Sequence, residues 1–346
     1  MIVRSRTDRI VASLIVLAAA MIVVQTPLAA QTDYQATNLV SNQAGVAKHQ
    51  DTQLVNAWGI SFAPTGPFWI ADNGTGLSTV YTGAGVKEST VVTIPPATGT
   101  GKGRPTGTVF NSTTDFVVSQ NGHSGAATFL FDTEDGTISG WNFGVNATSA
   151  VIAVNNPGAD YTGLAIGSHA GANFLFAADN ANNRVDIYDQ NFNFVSSFTD
   201  TSLPAGSAPF NVQNISGRLF VTFTNSTGGG VVDIFTTGGT LVKSFASGGT
   251  LKGPWGLALA PSGFGAASNA LLVGNLDDGK INAFNFATGA FIGQLKDTNN
   301  NVISISGLWG LAFGAGSSNN GPKNALFYAA GNNFYADGLF GVITFK

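Results

Sequence analysis

Few residues in this chain can carry chemistry. There is no cysteine, there are three histidines, His49, His123 and His169, and Glu88 and Glu134 are the only glutamates. No G-x-S-x-G elbow, Walker loop or H-E-x-x-H helix occurs. Nucleophilic, phosphoryl-transfer and zinc-protease chemistry therefore lack their usual motifs, and scarce Glu removes the commonest acid and base pair of glycosidases. Two options remain. His123 is a weak candidate for a general base, with Asp72 and Asp132 as acidic companions. Calcium is the one cation whose oxygen preference the chain could meet, with Asp72, Asp179, Asn211 and Asp277 as the candidate ligands.

Asparagines suggest what positions these groups. Asn73, Asn121, Asn180, Asn225, Asn275 and Asn332 each end an apolar, strand-like run, about fifty residues apart. Each follows a second anchor that opens another apolar run: Gly59, Gly107, Gly163, Asn211, Gly256 and Gly310. The gaps are 14, 14, 17, 14, 19 and 22 residues, the longer ones holding loop-like insertions such as SHAGAN, SGFGAASN and GAGSSNNGPKN. A sixfold repeat of this period, with several short strands per unit, predicts an all-β, six-bladed β-propeller. Blade one reads WGISFAP, PFWIADNG, LSTVYTG and STVVTIPP, four strands A to D split by Gly, Pro, Asn and Asp. Blade two reads GTVF, TDFVVSQN, AATFLFD and GTISGWN. Blade six offers three strands, ending in FGVITFK, so Tyr34 to Val40 is expected to pair with Gly341 to Phe345 and close the ring.

In such a ring the starts of the A strands and the ends of the B strands share one rim. That rim is expected to gather Asn56, Trp58, Asp72, Asn73, Arg104, Asn121, His123, Asp179, Asn180, Arg184, Asn211, Trp255, Asn275, Trp309 and Tyr335. His169 falls on the opposite face. The asparagines have two readings: loop closers that tolerate positive φ, or a ring of amides around a polar pocket. Trp58, Trp255 and Trp309, each directly before its anchor Gly, either pack in the core or stack on a ligand ring.

Composition bounds the rest. Residues 1–30 read as a secretory signal, with Arg4, Arg6 and Arg9 ahead of an apolar run from Ile10 to Val24 and Ala29 and Ala30 at its end. Its loss removes three Arg and one Asp, moving the net charge from −4 to −6. A charge-poor, mildly acidic surface argues against nucleic acid. No other stretch is long enough to span a bilayer. The mature chain, residues 31–346, is expected to be a single exported domain, secreted or periplasmic, and a monomer. N-x-S/T triplets at Asn73, Asn111, Asn146, Asn214 and Asn225 are glycan acceptors only in a eukaryotic secretory route.

The run FAADNANNRVDIYD at Phe176 to Asp189 resembles the NHL-type repeat, with weaker copies in ADNGTGLSTVY and GNLDDGKINAF. Through LVNAWGISFAPTGPFWIADNGTG, GPWGLALAPSGFG and GLWGLAFGAG, nearly the whole mature chain is similar to an uncharacterised family of exported bacterial proteins that often carry a PEP-CTERM sorting tail. No apolar span or basic cluster follows FGVITFK, so the resemblance does not carry that tail over. It implies a six-bladed ring and no reaction. Calcium-dependent lactonases of the gluconolactonase type are six-bladed too. They place an acidic residue at the start of the first A strand, where this chain has Asn56. The reading that follows is a binding module whose rim takes a protein or carbohydrate ligand without a required cofactor. The alternative is a calcium-assisted hydrolase or lactonase with the metal at the channel mouth.

Overall fold

The computed structural model describes residues 33–346 apart from Thr227, so the signal segment expected at residues 1–30 lies outside the described residues. Five four-stranded sheets and one five-stranded sheet form the blades of a six-bladed propeller, and a small two-stranded ribbon is added to blade two. Blade one comprises Ala57–Phe62, Phe68–Asp72, Leu77–Tyr81 and Lys87–Thr93. The A strands of blades three to six are Tyr161–His169, Ala208–Ile215, Pro254–Leu259 and Leu308–Phe313. The only helix among the described residues is the 3-10 turn Gly265–Ala267.

The B strands show why these sequences stack as blades. Phe68–Asp72 is buried along its whole length because both faces of its sheet are covered. Its alternation splits the side chains between two seams: Phe68 and Ile70 pack against Phe327 and Phe340 of blade six, while Trp69 stacks on Phe129 of blade two. Six hydrophobic clusters fill the six seams in this way, and a seventh, of three tryptophans, sits on the axis.

The ring closes as expected. Tyr34–Ser41 pairs antiparallel with Leu339–Phe345, from Tyr34 opposite Phe345 to Ser41 opposite Leu339. The Tyr34 hydroxyl donates to the Phe264 carbonyl at 2.7 Å and accepts from the Ala267 N–H at 3.0 Å, tying the closing strand to blade five as well.

Blade two departs from its sequence reading. Its four strands are Pro105–Phe110, Phe129–Thr133, Thr137–Trp141 and Val151–Asn155. The run VVSQN taken for strand B belongs to an inserted hairpin, Val117–Gln120 with His123–Ala126. Asn121 and Gly122 form its two-residue turn, both with positive φ, 51° and 80°. SHAGAN is likewise no loop: it extends the A and B strands of blade three through His169 opposite Ala172.

Candidate functional site

The anchor residues explain the repeat. A Cβ on Gly59 would overlap the Thr106 carbonyl of blade two, one on Gly107 the Leu164 N–H of blade three, one on Gly256 the Trp309 carbonyl, and one on Gly310 the Trp58 carbonyl of blade one. Around the axis each A strand thus lies against the next too closely for a side chain at that position. Blade four has Asn211 there instead, and its amide donates to the Trp255 carbonyl at 2.8 Å.

The tryptophans just before three of these anchors turn onto the axis and close the front mouth, the one formed by A-strand starts and B-strand ends. Trp58 and Trp309 stack with centroids 3.7 Å apart, and Trp255 meets both edge-on at 6.3 and 5.9 Å. All three are buried. The Trp255 indole N–H reaches across from blade five to the Thr162 carbonyl of blade three at 2.8 Å. The Trp309 indole donates to Asn56 Oδ1 at 3.0 Å.

From that bond a chain of amides runs outward. Asn56 Nδ2 donates to Asn73 Oδ1 at 3.1 Å, and Asn73 Nδ2 donates to Glu134 Oε2 at 2.8 Å. Arg104 stands 3.8 Å from the same carboxylate oxygen. Asn56 has a positive φ of 48°. Glu134 follows strand B of blade two, the position that the sequence reading gave to Asn121. The Asn-Gly pair between two β-rich runs was the signal for a hairpin that would have placed it there. Next to Glu134, burial and that carboxylate's charge push Asp160 up to about 6, against the pull of Arg104.

The remaining expected rim residues serve mostly as loop scaffolding. Asp72 is fully buried and accepts from the Thr79 N–H and hydroxyl. Asp179 accepts from Asn182 and the Asp160 N–H, and Arg184 pairs with Asp186 at 2.8 Å. Asn180 donates to the Pro209 carbonyl, and buried Asn275 donates to the Thr250 carbonyl and Asp278. None of the B-end asparagines of blades one and three to six has a positive φ; the side chains of Asn73, Asn180, Asn225 and Asn275 are hydrogen-bonded, whereas the buried Asn332 Oδ1 has no hydrogen-bond partner among the described residues. Among the described residues no three His, Asp or Glu side chains converge to hold a metal. The four candidate calcium ligands, Asp72, Asp179, Asn211 and Asp277, belong to blades one, three, four and five.

Asn121 and His123 leave the rim. The inserted hairpin joins strands A and B, so both lie on the back face with His169, away from Asp72.

One strained segment belongs to the front face. Asn333, Phe334 and Tyr335 have φ of 52°, 54° and 66°, three consecutive left-handed residues with no glycine among them. For Phe334 and Tyr335, which unlike Asn are poorly suited to this region, each costs roughly 1–2 kcal/mol, so surrounding contacts must enforce the turn. Asp337 is the clamp: its carboxylate accepts from Asn42, Gln43 and Asn333 at 2.9, 2.7 and 2.8 Å. These bonds, that from Asn42 foremost, hold its carboxyl below the usual range. The turn leaves the Phe334 side chain 97% exposed, with Tyr335 half-exposed and 5.8 Å from the Trp309 ring.

The back mouth is open. Behind the tryptophans a cavity of about 270 Å³ runs between the A strands, from Gly59 and Trp255 out to Phe62, Phe110, Asn214 and Ala312.

No known family's sequence profile matches the chain. It is similar to two uncharacterized proteins of Acanthamoeba polyphaga mimivirus. One is 29% identical over 334 residues, covering 92% of this chain and 82% of the relative. The other is 28% identical over 336 residues, covering 91% and 87%. These relatives are viral and lend no support to the bacterial or sorting-tail parts of the resemblance. Among solved structures, virginiamycin B lyase from Staphylococcus aureus superposes with a TM-score of 0.53 at 14% identity, over 91% of this chain and 99% of that one. The Pan2 WD40 domain of Neurospora crassa does so with a TM-score of 0.50 at 13% identity, over 90% and 96%. At such identities the likeness is one of fold.

Proposed function

We propose that this protein is an exported binding module whose front rim takes a protein or glycan ligand. The observation that carries the reading is the left-handed turn at Asn333–Tyr335. It is a strained, clamped segment that holds Phe334 in solvent beside Tyr335 and the tryptophan floor. Strain of this size is retained where it positions something, and exposed aromatics held on a clamped backbone next to polar groups suit both protein hot spots and sugar rings. The amide chain from Asn56 to Glu134 supplies the neighbouring hydrogen-bonding edge.

The test pairs the Phe334→Ala, Tyr335→Ala double variant with the parent protein on a glycan array and in crosslinking to the host envelope fraction. Melting temperature is measured alongside. Loss of a parent signal with melting unchanged within about 2 °C supports the rim. A signal that survives the double variant moves the ligand elsewhere. Export rests on the leader alone, and N-terminal sequencing of the protein recovered outside the cytoplasm should begin near Gln31.

A further inference from the structure

The open back cavity is independent of that rim, and its wall has a definite chemistry. None of its lining residues is Asp, Glu, Lys, Arg or His. Each A strand is the innermost of its blade and pairs with its B strand only, so its other edge turns unpaired N–H and C=O groups toward the axis. Among the lining side chains most polar atoms are already engaged. Ser61 and Thr108 share a bond of 3.0 Å, Asn211 bonds Trp255 and Val212, and Asn214 bonds Ile166 and Gly217. Gln213 is among the lining residues, and its side-chain amide has no hydrogen-bond partner among the described residues. Between these polar groups lie the apolar surfaces of Phe62, Phe110 and Ile166.

From this wall we infer that the cavity is a binding site for a neutral, hydroxyl-rich small molecule of about monosaccharide size. Ions are disfavoured because no counter-charge would offset their desolvation. Purely apolar molecules are disfavoured because they would strand the main-chain edges and the Gln213 amide. A sugar or polyol matches both features, with hydroxyls around its perimeter and C–H faces for the phenyl rings. The volume sets the size: about 270 Å³ holds roughly nine waters at ~30 Å³ each, less than a drug-sized pocket. The tryptophan plug makes the site a blind cup entered from the back.

Saturation-transfer NMR on the purified full chain tests this, with glucose, mannose and myo-inositol as neutral probes against glucuronate and glucosamine. Transfer to at least one neutral probe is expected, with little to the charged pair. Gln213→Leu, which keeps the volume and removes the amide, should weaken the neutral probe about tenfold, the effect of one hydrogen bond. Ala312→Trp, which fills the cup, should abolish transfer. The inference is overturned if no neutral probe shows transfer, if charged probes bind as well, or if Gln213→Leu binds like the parent. The last criterion holds even where Ala312→Trp does not fold.

Discussion

The two mouths of the central channel are made by the same six A strands, yet one is sealed and the other open. At the front, the residues before the anchors are Trp58, Thr106, Thr162, Phe210, Trp255 and Trp309, and the four large rings among them pack together on the axis. At the back no such plug closes the channel, and a cavity of about 270 Å³ remains between the A strands, lined there by Ser61, Phe62, Phe110, Ala165, Gln213 and Ala312. The Trp-Gly signature that announces the repeat is therefore a packing device. Candidate ligand chemistry lies where the repeat is irregular: Gln213 on the blade whose anchor is Asn, and the left-handed turn after strand B of blade six.

The strongest way to break this contrast is to remove a plug ring. Trp309→Ala deletes the stack on Trp58 and the donor to Asn56, and a buried aromatic truncated to Ala costs about 3–5 kcal/mol. A large drop in denaturation midpoint is expected, with a channel now open at both ends and a rise in acrylamide quenching of the remaining tryptophans. An unchanged midpoint would mean that the plug is ornamental to the fold.

Charge sharpens the contrast further. Just beneath the front mouth, Asp132 is fully buried, accepting from the Thr106 hydroxyl at 2.8 Å and the Gly107 N–H at 2.6 Å, and burial pushes it up to about 7. In the seam of blades three and four, burial and the nearby charge of Asp200 push Asp233 up to about 7 as well. Their ordinary value is 3.8, so between pH 4 and 7 the folded chain holds more protons than the unfolded one, and stability falls as pH rises through that window. For Asp132 the loss from pH 5 to pH 8 is about 2–3 kcal/mol. Melting temperature should be higher at pH 5 than at pH 8, and Asp132→Asn should flatten the slope. A profile that rises toward pH 8 would contradict the assignment. Binding in the back cavity, which has no ionisable lining, should be flat over the same range.

How much of this was legible in the sequence follows from the physics of each part. The blade count, the closing strand and the rim common to A starts and B ends were readable because B-strand hydrophobicity and the anchor glycines answer to packing that every blade repeats. Blade two was misread because an inserted hairpin has the same alternation and turn residues as a blade strand. Periodicity cannot separate the two, although Asn121-Gly122 marked the hairpin. The chain from Trp309 to Glu134 was illegible for another reason. It joins residues of blades six, one and two through side-chain directions that no local pattern encodes. The Gln213 amide and the Phe334 turn stand out only once their surroundings, or their backbone angles, are known.

The smallest expected effect bears most directly on function. At φ 54° Phe334 bears a steric cost that glycine would not, while glycine costs more chain entropy on folding. Phe334 buries almost nothing, so Phe334→Gly removes no packing in return. The balance favours the variant by about 0.5–1 kcal/mol, a rise in melting temperature of roughly 1–3 °C. A residue whose removal stabilises the protein is not there for the fold. If Phe334→Gly melts lower than the parent, the ring has a structural partner and the rim reading loses its main support. If it melts higher and rim binding falls with it, stability has been given up at this position for recognition. The sealed front mouth is then the working face of the ring, alongside whatever the open cup behind it holds.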